Sequence, residues 1–124
     1  MGGILLTGAS GIEYFYTPYR VGETLWHRDP ANYAFGFQDE GGSWRIVYVG
    51  ETANLRSRMA THGQWPTAQR LGCGHVLVNL NPGGQRVRRV QEQDLIAAYR
   101  PALNTQHRAP SRPRVKRMGY YPGR

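Results

Sequence analysis

The clearest hydrophobic pattern lies in the middle of the chain. Tyr33-Ala-Phe-Gly-Phe37 and Arg45-Ile-Val-Tyr-Val49 are short apolar runs on either side of Gln38-Asp-Glu-Gly-Gly-Ser43, a segment of turn formers. Two β-prone runs across such a segment predict a hairpin. Thr52 then serves as an N-cap, and Leu55 and Met59, at i and i+4, mark the buried side of a helix ending near Gly63. Trp65 to Arg70 adds a second helical turn or two. Gly74-His-Val-Leu-Val-Asn-Leu80 reads as a third strand, followed by the Asn81-Pro-Gly-Gly84 loop. A helix from about Gln85 to Tyr99 closes the domain at Pro101, because the residue before a proline is pushed out of the helical region.

Upstream, Ile12-Glu-Tyr-Phe-Tyr-Thr-Pro-Tyr19 is rich in aromatic residues and reads as a strand stopped by Pro18. Thr7-Gly-Ala-Ser-Gly-Ile12 has the outline of a dinucleotide-binding glycine turn, but only Gly3 to Leu6 is left to form the strand before it. Glu13 follows Ile12 where a glycine is needed, and no helical pattern follows, so that reading is excluded. The expected fold is therefore α/β. A small central antiparallel sheet of three strands, with Ile12–Tyr19 as the candidate fourth at an N-terminal edge, is flanked by helices. Residues 1–30 form an N-terminal extension, 31–104 the domain, and 105–124 a disordered basic tail.

At 124 residues, 40% of them hydrophobic, the chain makes one modest core, and no apolar run is long enough for a bilayer. The first residues carry no basic run ahead of a long apolar one, so neither an export signal nor an anchor is expected, and the expected location is cytoplasmic. Cys73 is the sole cysteine, and His27, His62, His75 and His107 lack the spacing of a structural zinc site. No membrane partner is expected.

Charge changes the picture more. Residues 1–55 carry Arg20, Arg28 and Arg45 against six acids, a balance of −3, whereas residues 56–124 carry thirteen cations against Glu92 and Asp94, a balance of +11; together they give the chain's +8. All the cations but Lys116 are arginine, which meets phosphate oxygens with a planar fork of donors. A polyanion is the expected partner, and nucleic acid the expected polyanion. The tail after Asn104 holds three Pro, six Arg or Lys and no acid. Lying along a duplex, it would add salt-dependent affinity without sequence choice.

Two segments carry chemistry. Tyr48-Val-Gly-Glu-Thr-Ala-Asn-Leu-Arg-Ser-Arg-Met-Ala-Thr-His62 resembles the second half of the GIY-YIG nuclease signature, with Tyr-x-Gly-x-Thr, the Asn-Leu pair, and Arg58 and His62 in register. Glu92-Gln-Asp-Leu-Ile-Ala-Ala-Tyr-Arg-Pro-Ala-Leu-Asn104 is similar to the family's Glu-x-x-Leu-Ile helix followed by Pro-x-x-Asn. Ala31-Asn-Tyr33 stands for Gly-Ile-Tyr, with the longer gap to Tyr48 absorbed at the Gly41-Gly42 tip; Phe35-Gly-Phe37 is the competing alignment and would cost one phenol. Glu51 stands where the family more often has Lys or Gln, and an added carboxylate there would either repel phosphate or recruit metal. The resemblance implies a metal-dependent endonuclease with catalytic Tyr33, Tyr48, Arg58, His62, Glu92 and Asn104, and with Glu92 as ligand to a single Mg²⁺ or Mn²⁺. Double-stranded DNA is the expected substrate.

The residues themselves can be weighed without the family. Phosphodiester hydrolysis needs a cation on the phosphate, a deprotonated water and a stabiliser for the leaving oxygen. Past residue 51 the only acids are Glu92 and Asp94, two apart on a helix and so roughly 200° apart around it, which argues against a shared metal cluster. Mg²⁺ is content with one carboxylate, waters and substrate phosphate. Arg58 would neutralise transition-state charge, and His62 would hydrogen-bond a phenol or move a proton. A phenol is a poor base unless cations stabilise its phenolate.

Each residue also has a plainer role. Glu92 could pair with Arg88 or Arg89 on the same helix; Arg58 could be a solvated cation and His62 a helix-terminal one. The tyrosines could be ordinary strand formers and Asn104 a turn residue. The alternative function is a non-catalytic nucleic-acid-binding module.

Overall fold

The computed structural model describes residues 2–20 and 27–107. Its elements run β1 (Ile4–Thr7), β2 (Glu13–Arg20), β3 (Ala31–Gln38), β4 (Trp44–Thr52), α1 (Leu55–Ala60), α2 (Trp65–Arg70), β5 (His75–Leu80), α3 (Gln85–Tyr99) and α4 (Ala102–His107). The strands form one sheet in the order β1-β2-β5-β3-β4, with every neighbouring pair antiparallel.

This corrects the expected fold. The sheet has five strands rather than three, and the N-terminal strand does not lie at an edge: β2 is interior, and the edge belongs to β1. The cause is a division of labour along β2. Its first half, Glu13 to Tyr16, pairs with β1, and its second half, Thr17 to Arg20, pairs with β5. Pro18 therefore does not stop the strand. It lies where β1 no longer covers β2, and a proline is tolerated where one side of a strand needs no N–H donor. Residues 1–30 thus supply two strands and the buried side chains Leu6 and Tyr16 to the common core. Of the helices, α1 is shorter than expected, ending at Ala60, α2 and α3 span Trp65–Arg70 and Gln85–Tyr99 as expected, and α4 is an addition beyond Pro101. α4 continues past Asn104 to His107, so part of the segment read as tail is helical; residues 108–124, the rest of that basic tail, lie outside the described residues.

β3 is buried at every position from Ala31 to Gly36 because helices cover both of its faces. On one face Tyr33, Phe35, Tyr48, Val76 and Val78 pack with Leu55, Ala68 and Leu103. On the other, Ala34, Ile46, Val49 and Leu77 pack with Tyr16 and with Leu95 and Ile96 of α3. A register shift between Phe35 and Gly36 leaves Val47 as an extra residue, so Tyr48 stands opposite Phe35 and Ile46 opposite Gly36. The hairpin tip closes on Asp39, whose carboxylate accepts from the backbone N–H of Gly41 and Ser43, both at 3.0 Å, and from Arg45 Nε at 2.9 Å.

The glycine-rich turn between β1 and β2 is pinned from the other end of the sequence. Asp94 on α3 accepts hydrogen bonds from Ser10 N (2.9 Å), Ser10 Oγ (2.6 Å) and Tyr14 Oη (2.8 Å). A Cβ on Gly8 would overlap that carboxylate, which is why glycine stands there. The Ser10 hydroxyl first, then Tyr14 and the Ser10 N–H, hold the Asp94 carboxyl below the ordinary aspartate value of 3.8. A carboxylate with a depressed folded pKa stabilises the fold above its unfolded pKa and loses that contribution as pH falls through the folded value. Asp94→Asn is therefore expected to flatten the loss of stability below about pH 3.8. Urea unfolding at stepped pH measures this, and an unchanged acid limb would count against the assignment.

Candidate active site

Local chemistry sets the position of α1. Asn54, rather than the expected Thr52, is its N-cap, the Asn54 side chain accepting from Ser57 N at 3.1 Å. Thr52 instead shapes the turn before it, its Oγ1 accepting from Asn54 N at 3.1 Å. The N–H groups of Leu55 and Arg56 donate to the carbonyls of Asp29 (3.1 Å) and His27 (2.8 Å), which ties the start of the helix to the chain ahead of β3. Leu55 is fully buried beneath α1. Arg58, one helical turn on, is directed over the sheet face that carries Tyr33 and Tyr48.

The helix ends at Ala60, so His62, four residues beyond Arg58, does not lie on a helical face with it. A turn brings it back instead, and the ring is 5% exposed. The backbone N–H of Gln64 donates to His62 Nδ1 at 3.1 Å. A backbone amide can only donate, so Nδ1 is the acceptor and the ring proton sits on Nε2. His62 Nε2 lies 2.8 Å from Tyr33 Oη and therefore donates to it. The Arg58 guanidinium lies beside the hydroxyls of both Tyr33 and Tyr48, close enough to act on each electrostatically. An imidazole N–H and a guanidinium charge are thus both set at the Tyr33 hydroxyl.

An aromatic box surrounds this point. Phe35 stacks on Tyr48 with ring centres 5.4 Å apart, and His62 meets Tyr33, Phe35 and Tyr48 edge-on at 5.5, 4.8 and 5.0 Å. Trp65 of α2 closes it against Phe35 at 4.9 Å. Gly50, opposite Tyr33 across the hairpin, leaves room for the phenol: a Cβ there would stand 2.5 Å from Tyr33 Cζ and Oη. Tyr33 carries the hydroxyl at this place, one residue pair away from the bulge beside Phe35. Burial first, then the neighbouring Tyr48, pushes the Tyr33 hydroxyl well above the ordinary tyrosine value, against the pull of Arg58. For Arg58, burial works against the charge, but the two phenols outweigh it and hold the guanidinium charged.

Glu92 sits elsewhere. Strand alternation sends Tyr33, Tyr48 and Gly50 to one face and Asn32, Val49 and Glu51 to the other, where α3 lies. Glu92 is half-buried there, and burial first, then the charge of Glu51, raises its carboxyl above the usual range. The plainer pairing of Glu92 with Arg88 or Arg89 does not form: both arginines turn to Glu51, with Nε at 3.0 Å and 3.8 Å from its two oxygens. This also settles what the unusual Glu51 does locally, since its charge is met by two guanidinium groups. The two faces meet at the end of β4, where Gly50 lies under Tyr33 and Glu51, next in the chain, reaches α3.

A hydrated Mg²⁺ or Mn²⁺ asks of the protein only one or two carboxylate oxygens. Glu92 fits that demand, for among the described residues it makes no salt bridge. Among those same residues no group of three or more His, Cys, Asp or Glu comes together, so the described side chains build no cage for a metal. Asp94 is committed to the β1–β2 turn.

Asn104 has a different task. Its Oδ1 accepts from Val49 N at 2.7 Å and its Nδ2 donates to Val49 O at 2.8 Å, so it completes the ladder of edge strand β4 as another strand would. Asn104→Ala leaves two buried backbone groups unpaired and is expected to lower stability by about 1–3 kcal/mol in urea unfolding. A loss near zero would show that water replaces the side chain.

Sequence reading missed Phe35 and Trp65 as walls of this site and Arg88 as the partner of Glu51. The full apolar run Tyr33 to Phe37 signalled burial on both faces of β3, but nothing local joins residues 51 and 88. Set beside known proteins, the chain matches no family model and no curated protein. Among the described residues no helix is long and apolar enough to cross a membrane.

Proposed function

We propose that this chain is a GIY-YIG-type endonuclease that hydrolyses phosphodiester bonds, with double-stranded DNA as its substrate and one divalent cation on Glu92. The observation that carries the reading is the cluster of Tyr33, Tyr48, His62 and Arg58 on one sheet face, with His62 bonded to the Tyr33 hydroxyl and the Arg58 charge beside both phenols. A guanidinium has five N–H donors, so Arg58, only half-buried, can hold the phenols and still meet a phosphate oxygen. Tyr33 is 1% exposed and serves by fixing Arg58 and His62; Tyr48, 7% exposed and nearer to solvent, takes the proton from water. To accept that proton Tyr48 must first be a phenolate, which the transfer returns to a neutral phenol, and the neighbouring Arg58 guanidinium stabilises the phenolate's charge before the transfer. The cation, when bound, would supply neutralising charge to the phosphate. The excess of arginine in residues 56–124 supports a polyanionic substrate.

One observation favours a second reading. The phenols are nearly buried and Glu92 lies across the sheet from them, an arrangement also suited to a module that binds nucleic acid without cutting it. Purified protein with Mg²⁺ or Mn²⁺ on supercoiled, linear and branched DNA separates the two. The nuclease produces nicked or shortened DNA; the binding module shifts DNA that stays intact.

A further inference from the structure

A groove of about 810 Å³ lies between the β1–β2 turn and the outer side of α3. Ile12 and Tyr14 form one wall; Arg86, Arg89, Val90 and Ala97 form the other. Ile12 is 55% and Val90 63% exposed, so the apolar strip is open to a partner. Its lining carries two cations, Arg86 and Arg89, against one carboxylate. The acid in the lining, Asp94, already accepts from Ser10 and Tyr14. Arg86 makes no ion pair among the described residues, and Arg89 approaches Glu51 only at 3.8 Å, a carboxylate that Arg88 already holds at 3.0 Å. Two exposed guanidinium groups, i and i+3 on one side of α3, therefore face the groove beside an apolar strip and an aromatic ring.

A nucleic-acid strand offers the complement: phosphates along one edge, and sugar and base faces that pack on apolar and aromatic side chains. A second copy of this chain, carrying +8, would meet the arginines with like charge. We propose that this groove holds a nucleic-acid strand flanking the Glu92 side of the site, with Arg86 and Arg89 on adjacent phosphates and Ile12 and Val90 against the sugar and base faces. The proposal rests on the nucleic-acid reading above and adds a binding track which that reading does not require.

The test uses the full chain and labelled oligonucleotides, single-stranded and duplex, over a range of salt concentrations. Arg86→Gln/Arg89→Gln is expected to lower the slope of log affinity against log salt by about 1.8 on duplex, or about 1.4 on a single strand. Val90→Glu, which puts an anion in the strip, is expected to weaken binding at low salt. All three side chains are exposed, so melting temperatures should match the parent's. Unchanged slopes in variants of a parent that binds would overturn the groove and leave the nuclease reading standing. So would loss of binding to an acidic peptide, with oligonucleotide binding retained. A parent that binds neither oligonucleotide would remove the reading on which the groove depends.

Discussion

Arg58→Ala is expected to slow nucleic-acid cleavage by roughly 10²–10³-fold, the loss typical of removing one pre-placed donor from a developing oxyanion. The reason lies in its position, because Arg58 is the cation beside both Tyr33 and Tyr48 while still reaching solvent. Arg58→Lys separates charge from geometry: an ammonium keeps the positive charge but loses the planar fork, so an intermediate rate is expected. The measurement is single-turnover cleavage of labelled DNA by parent and variants at matched melting temperature. If Arg58→Ala cuts as fast as the parent, the cluster on this face is packing rather than chemistry.

The largest expected effect on stability belongs to Arg88. Its side chain is 6% exposed and its Nε lies 3.0 Å from Glu51 Oε1, whose side chain is 11% exposed. The pair sits in a polar layer between the sheet and α3. There Asn32 donates to the Arg88 carbonyl, Asn81 bridges Asn32 and Gln91, and Gln91 donates to the Tyr16 hydroxyl at 2.9 Å. Removing Arg88 leaves the buried Glu51 charge with only the exposed Arg89, 3.8 Å away, and Arg88→Met is expected to cost about 3–5 kcal/mol. Pairing it with Glu51→Gln removes the stranded charge, so the double variant should recover much of that loss. Urea unfolding of the single and double variants checks this, and a double variant less stable than Arg88→Met alone would refute the account.

The contrast between these two residues shows what the sequence made legible. Arg58 was marked by a motif, and the hairpin, β5 and α3 by their hydrophobic runs, because period and turn chemistry are local signals. The Glu51–Arg88 pair was hidden: it spans 37 positions, and the helical spacing of Glu92 with Arg88 and Arg89 suggested a different partner. β1 was hidden for a similar reason. Four residues are too few to show alternation, and the strand is defined by Asp94 holding its turn from the far end of the chain. Pro18 was misread because its tolerance depends on which half of β2 each neighbour covers. Thr52 and Asn54 are both good caps by type, and only the geometry of Asn54 on Ser57 separates them.

Glu92 stands between these cases, legible as a lone carboxylate on α3 yet placed across the sheet from the phenols. Whether both faces serve one reaction at the end of β4 is the central claim. Its most direct test is the conversion of supercoiled plasmid by the purified full chain in Mg²⁺ or Mn²⁺, parent against Glu92→Ala. The account predicts nicked and linear products from the parent and intact plasmid from the variant. Intact plasmid from both, or equal cutting by both, would contradict it.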